Sequence, residues 1–223
     1  NGRILRASTN NTTQALRYHY DPLGNMLFRH DVVAGVAGVA ESMAYDNLNR
    51  GASTQITGGP VVIHNYDVLG NLTYRSDVGC YEYGSSRPHA VTRIKNAQGG
   101  TIRSMSYDAM GGMLRNGNVN LRYRASGKVW RIIQGNKRND FFFDADEQRQ
   151  FQRSFLNGAA QMSKRYVGSH FEQETNLFNN TQKNLHYIMV DGNPVAIKTT
   201  GSVNNTRYLH LDHLVLVQAI SDE

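Results

Sequence analysis

The densest group of side chains able to hold a metal or relay a proton is His210, Asp212 and His213. On an extended strand His210 and Asp212 share one face and His213 points from the other, so three ligands meet at one ion only if the chain turns there. The other histidines, His19, His30, His64, His89, His170 and His186, are dispersed and are expected to be strand residues with hydrogen-bonded rings. Asp21, Asp46, Asp67 and Asp108 each follow a tyrosine and precede a glycine or asparagine. A calcium loop gathers several carboxylates within about a dozen residues, whereas each of these stretches centres on one, so turn capping is the expected role. The lone Cys80 excludes an internal disulfide framework and a cysteine-rich zinc module, and it is expected to pack as a small apolar side chain. There is no Gly-x-Ser-x-Gly elbow and no Gly-x-x-x-x-Gly-Lys loop, and Gly35-Val36-Ala37-Gly38 lacks the third glycine of a dinucleotide turn. No catalytic residue, cofactor site or metal site is therefore assigned, and the chain is not expected to be an enzyme.

The elements that would hold these residues follow from composition. Of 223 residues only 19% are charged, while Gly reaches 21 and Tyr 12, a balance that suits strands and turns better than helices. Lys and Arg outnumber Asp and Glu by 24 to 18. These basic residues stand singly, as at Arg29, Arg75, Arg93, Arg115 and Arg131, with no block longer than a pair such as Lys137-Arg138. A mildly basic solvated surface is expected, not a nucleic-acid interface. No run approaches the roughly 18 apolar residues of a membrane helix, so no membrane insertion is expected. The small apolar stretch Val32 to Ala40 reads as a wall strand that another backbone approaches closely. Asn1 to Asn10 lack the charged-then-apolar order of a signal peptide. Asn-x-Ser/Thr sequons at Asn10, Asn11, Asn71, Asn179 and Asn204 read as Asn-rich turns, and the absence of disulfides favours a bacterial source over an extracellular animal one.

A repeat organises the chain. Tyr20-Asp21-Pro22-Leu23-Gly24-Asn25, Tyr66-Asp67-Val68-Leu69-Gly70-Asn71 and Tyr107-Asp108-Ala109-Met110-Gly111-Gly112 agree at Tyr, Asp and Gly. Weaker copies start at Tyr45-Asp46 with Asn49 in the glycine place, Tyr81-Glu82, Tyr123 with Gly127, and Phe143-Asp144 with Glu147, and aromatic starts continue at Tyr166, Tyr187 and Tyr208. The ten starts recur about every 21 residues, the size of one hairpin. Each unit reads as strand, turn, strand: Asp caps the turn, Pro22 presets one backbone angle, and Gly supplies the positive φ of a type I turn closed by a bulge. Apolar residues after the turns alternate, Met26 with Phe28 and Leu72 with Tyr74, and so are expected on one face. The continuous runs Phe141 to Phe143 and Leu214 to Val217 suggest strands covered on both faces or a contact surface there. The chain is thus all-β, built of repeated antiparallel strand-turn-strand units.

This signature resembles the YD repeat of Rhs and YD-repeat proteins. The tail strengthens the resemblance: Arg165-Tyr166-Val167-Gly168 with Phe171-Glu172, His186-Tyr187-Ile188 with Pro194-Val195-Ala196-Ile197, and Tyr208-Leu209-His210-Leu211-Asp212-His213-Leu214 look like the last repeats before the core of such proteins. The resemblance implies part of a spiralling hollow β shell over residues 1–223. Typical repeats occupy 20–164, and a closing segment with Tyr166, Tyr208, His210, Asp212, His213 and Leu214 occupies 165–223. It further implies a function of encapsulation, with a C-terminal toxic domain enclosed until delivery by a bacterial secretion or toxin-complex system. The partners implied are the rest of the same shell or a companion shell chain, the enclosed toxin domain and a delivery apparatus; in the animal teneurins a similar shell serves adhesion. Two departures stand out. Val215-Leu216 replaces the family's Gly-Ser after Asp-His-Leu, which puts the bend there in question. The only Asp-Pro is Asp21-Pro22, so the family's releasing aspartates are not carried over. With no evident caps at either end, a piece of a longer polypeptide is expected. Two other readings remain: an extracellular adhesion or carbohydrate-binding module using an exposed Trp130 and the tyrosines, and an enzyme with a metal at His210, Asp212 and His213.

Overall fold

In the computed structural model the described residues are 3–9, 13–33, 38 and 40–222. Much of the stretch read as a wall strand, Ala34 to Ala37 and Val39, and the sequons at Asn10 and Asn11 lie outside them. Every regular element among the described residues is a strand, and the chain divides into two units.

The first unit comprises residues up to Ile102 together with His210–Ser221. Its strands are β1 (Arg6–Thr9), β2 (Gln14–Tyr20), β3 (Met26–Asp31), β4 (Ala40–Tyr45), β5 (Gly51–Ile56), β6 (Val61–Tyr66), β7 (Leu72–Arg75), β8 (Gly79–Gly84) and β9 (Arg87–Lys95). Each pairs antiparallel with the next, a plain meander. The second unit spans Arg103–Leu209. It continues the pattern through β10 (Thr101–Tyr107), β11 (Met113–Asn116), β12 (Val119–Tyr123), β13 (Val129–Gln134), β14 (Lys137–Phe143), β15 (Arg149–Leu156), β16 (Ala159–Val167), β17 (Phe171–Asn176), β18 (Gln182–Val190), β19 (Asn193–Gly201) and β20 (Asn205–Leu211). The last strand, β21 (Val217–Asp222), follows a turn after β20.

In both units a meander makes one layer, and one layer buries little. The apolar residues that are fully buried among those described are Ala15, Leu16, Tyr18, Ile94 and Ala196. The accessible surface is 14246 Å², against roughly 10,000 Å² for a folded monomer of this mass. Backbone pairing and cross-strand side-chain contacts therefore carry a share of stability that a core carries elsewhere. Cys80 is exposed on such an open face, which corrects its expected packing.

Two kinds of turn recur between the strands. Asn157-Gly158 and Asp191-Gly192 are two-residue turns in which both residues have positive φ, the arrangement whose twist matches that of the flanking strands. The other kind spans five residues and closes eight hairpins with one geometry. In each, the first residue's N–H donates to the carbonyl four places on and the fourth residue's N–H donates back to the first carbonyl, beginning at Asp21, Asp46, Asp67, Asn96, Asp108, Arg124, Asp144 and Asp212. The fourth residues, Gly24, Asn49, Gly70, Gly99, Gly111, Gly127, Glu147 and Val215, all have positive φ.

The bulge that follows corrects a sequence expectation. Tyr20 stands opposite Met26 while His19 stands opposite Phe28, so the extra residue throws Met26 and Phe28 to opposite faces instead of one. Leu72 and Tyr74 are split in the same way against Tyr66 and Asn65. The Leu214 to Val217 run is likewise no doubly covered strand: these residues are all exposed and most of them belong to a turn. Phe142 is also half open to solvent.

Candidate functional site

The repeat motif builds a ladder of tied turns. Asp67 shows the chemistry: its Oδ1 accepts the N–H groups of Leu69 at 2.9 Å and Asn71 at 2.8 Å, and its Oδ2 accepts the Asn71 side-chain amide at 2.8 Å. Asp21 is bonded in the same way by Gly24 and Asn25, and Asp46 by Leu48 and by Arg50 through both backbone and guanidinium. Asp108 accepts Met110 and Gly112. The residue after the glycine is thus not incidental, because Asn25, Arg50 and Asn71 each return a side-chain donor to the capping carboxylate. These donors hold Asp21, Asp46 and Asp67 below the usual carboxylate range. For Asp67 the Asn71 amide is the largest influence, and for Asp46 the Arg50 N–H; for Asp21 partial burial works upward but is outweighed by its hydrogen bonds to Asn25, Gly24 and Leu23. Carboxylates committed in this way to turn amides leave little oxygen for a cation.

Tyrosines at several of these turns tie one turn to the one before. Tyr45 donates its hydroxyl to the Met26 carbonyl at 2.8 Å, Tyr66 to Gly51 at 2.9 Å and Tyr123 to Met113 at 3.0 Å. Each acceptor lies two places past the positive-φ residue of the preceding turn, so the ring spans one hairpin and locks onto the next. Tyr83 does the same to Leu72 at 2.8 Å without an aspartate after it. Tyr20 reaches the Ile4 carbonyl, and burial raises the Tyr107 hydroxyl above its ordinary value. Direct links between turns add to this: Asn25 to Asn49 at 3.0 Å, the Arg50 guanidinium over the Tyr66 ring at 4.6 Å, and in the second unit Arg124 over Phe143 at 5.6 Å.

Sequence spacing located most of these turns and missed others. Tyr81, Tyr187 and Tyr208 lie within β8, β18 and β20, not at turn starts. Tyr166, near the end of β16, is followed by a tighter turn through Gly168, and its hydroxyl bonds the Gln152 side chain. The turn from Asn96 lacks an aromatic before it, and its legible signal was the Asn-x-x-Gly spacing alone. The turn from Asp212 was obscured by Val215, yet the bend questioned in the sequence is present, with Val215 at φ 63°.

The closing segment does not form one cluster. Tyr166 and Tyr208 belong to the second unit, whereas His210, Asp212, His213 and Leu214 belong to the first. There the hairpin packs on β2, whose Gln14, Leu16 and Tyr18 are buried. The Gln14 amide donates to the Leu211 carbonyl at 3.2 Å, His210 contacts the Thr9 hydroxyl at 3.2 Å and the Ser221 hydroxyl at 2.9 Å, and the His213 ring lies 4.4 Å from that of Tyr18. Asp212 caps its own turn through Leu214 and Leu216, with Arg29 3.9 Å away. The three candidate ligands thus serve three separate sets of partners, and among the described residues no group of three or more such side chains is placed to hold a metal ion. Leu214 sits exposed at the turn tip. The sequon asparagine Asn71 is buried and bonded to Asp67, Pro88 and His89, so its amide is spent on the ladder. Trp130 is half-buried with the Arg131 guanidinium over its ring at 4.5 Å, which corrects the expected open aromatic face.

The single-layer antiparallel meander is a fold found in solved toxin structures. Solved structures carry the same fold: TcdB2-TccC3 without its hypervariable C-terminal region matches 99% of this chain with a TM-score of 0.65 at 13% identity. TcdB2-TccC3-Cdc42 matches 94% with a TM-score of 0.52 at 14% identity. The chain covers 14% and 13% of those chains. No protein-family model matches the chain, and no curated protein does.

Proposed function

We propose that these residues form a non-enzymatic wall segment of a toxin-associated Rhs shell, and that the shell encloses a C-terminal toxic domain until delivery by a bacterial secretion or toxin-complex system. The observation that carries this reading is the tyrosine ladder. It makes a wall one strand thick in which the hairpins at Tyr45, Tyr66, Tyr83 and Tyr123 are pinned to the backbone of their predecessors. Such a wall needs no second layer of its own, and a closed strand wall leaves few free edges while separating one polypeptide from solvent. The fold shared with the TcdB2-TccC3 structures supports it. The remaining shell, the enclosed domain and a delivery apparatus are the partners in this reading.

The test is to image the natural polypeptide containing these residues by negative stain and to digest it with protease. A hollow particle with internal density, in which the segment after the shell resists protease until the wall is denatured, is the expected result. A solid particle whose downstream segment is cleaved at the rate of a free chain would overturn the proposal.

A further inference from the structure

In the second unit the two faces of the sheet differ in charge. On one face Lys164 binds Glu172 at 2.9 Å and Glu174 at 2.6 Å, and Lys183 binds Glu174 at 2.6 Å, so acids and bases compensate in place. On the other face Arg122 stands opposite Arg131, Arg131 opposite Asp140, and Asp140 opposite Arg153. Directly opposed side chains lie about 5 Å apart at Cβ, and like charges there are destabilising. Asp140 is buried and answers Arg131 through two bonds of 2.6 and 2.8 Å, with Arg138 3.3 Å away. Arg122 and Arg153 are exposed, and among the described residues neither forms an ion pair. Arg165, opposite Phe151 on the same face, is also exposed without one. Three apolar rings share this face: Phe142 and Phe151 with centroids 5.6 Å apart, and Phe155 under the Arg138 guanidinium at 3.8 Å.

A row of like charges with one acid among them is a local conflict of the sort that folds keep at interaction sites. We propose that this face of β12 to β16 is a docking surface for an acidic, extended polypeptide segment, whose carboxylates pair with Arg122, Arg153 and Arg165 and whose apolar side chains rest on Phe142. The row crosses only a few strands at about 4.8 Å each, a reach that suits two or three carboxylates. A nucleic acid needs a longer phosphate track and open rings for stacking, whereas the rings of Phe151 and Phe155 already lie against Arg153 and Arg138. The inference goes beyond encapsulation and stands on the second unit alone.

The test uses the full chain and a fluorescent peptide of Glu-Gly repeats with a central Phe, read by anisotropy. Binding is expected to weaken as salt rises. The double variant Arg122→Gln with Arg153→Gln is expected to weaken it about tenfold, whereas Lys183→Gln on the other face changes it less than about twofold. Asp140→Asn, which removes the competing acid, is expected to tighten binding, and this arm decides the matter if the double variant melts early. No saturable binding, equal losses from both faces, or looser binding by Asp140→Asn would each overturn the proposal. Single-stranded DNA that displaces the peptide at lower concentration would replace it with a nucleic-acid surface.

Discussion

Val215 holds the fourth place of an Asp-capped turn at φ 63°, where seven sister turns have Gly, Asn or Glu. A side chain in the left-handed region costs roughly 1 to 2 kcal/mol, and β-branching puts Val at the upper end. Replacing it with Gly removes that strain. Against this, Gly widens the unfolded ensemble at about 0.4 to 1 kcal/mol. Val215 is 46% exposed, so losing its small side chain gives up about 0.8 kcal/mol of burial. The balance is a gain of roughly 0.2 to 0.8 kcal/mol, local to the hairpin that packs on β2. Hydrogen exchange of the Val215 and Asp212 amides, which donate to Asp212 and Leu216 across the turn, is expected to slow about 1.5- to fourfold in Val215→Gly. Val215→Ala separates the effects, since it trims the side chain and keeps a Cβ in the left-handed region; it is expected to protect less than Gly. Exchange in Val215→Gly equal to or faster than in Val215→Ala would refute the strain argument.

Removing one inter-turn bond by Tyr83→Phe is expected to lower stability by about 1 kcal/mol, while Tyr81→Phe, with its ring in mid-strand, changes it little; equal effects in chemical denaturation would contradict the ladder. Acid should loosen the turns with a definite sign. Asp21, Asp46 and Asp67 have folded pKa values held below their unfolded ones, so their contribution is whole above the unfolded value of about 3.9 and is lost as pH falls through the lower folded values. Thermal melts between pH 5 and pH 2 should show this, and Asp67→Asn should flatten the slope. Gly70→Val should cost about 2 kcal/mol from φ alone, because a Cβ at Gly70 meets nothing within 4 Å, whereas Gly79→Ala should cost more because its Cβ would strike the Lys95 carbonyl; paired melts rank the two.

What could be read from sequence was local. Asp followed three places later by Gly specifies a turn by itself, and Asp21, Asp67 and Asp108 announce theirs. The target of the tyrosine hydroxyl was not legible, since Met26 and Gly51 are acceptors through their backbone and any residue offers the same carbonyl. The flip of Met26 and Phe28 also lay outside period-two reasoning, because a bulge adds one residue without changing composition. The packing of His210 to Ser221 on β1 and β2 joins residues nearly two hundred apart through one amide, one hydroxyl and a ring contact, and no periodicity encodes such a pairing.

This economy of specification accounts for a fold that persists at 13% identity. A packed core constrains each apolar side chain by volume, whereas here both faces of each sheet are largely open and most strand positions answer only to their cross-strand partner. The strict demands fall on an oxygen acceptor at the first turn position, a residue tolerant of positive φ at the fourth, and a phenol that reaches the preceding backbone. Even these are met by substitutes: Asn96 for Asp, Glu147 for Gly, and Tyr83 acting without an Asp. With the wall held by backbone and turns, the faces are free to differ in chemistry, as the compensated Lys164 face and the uncompensated Arg122 to Arg153 row do in the second unit. The frame can then stay constant while a face changes to suit what it touches.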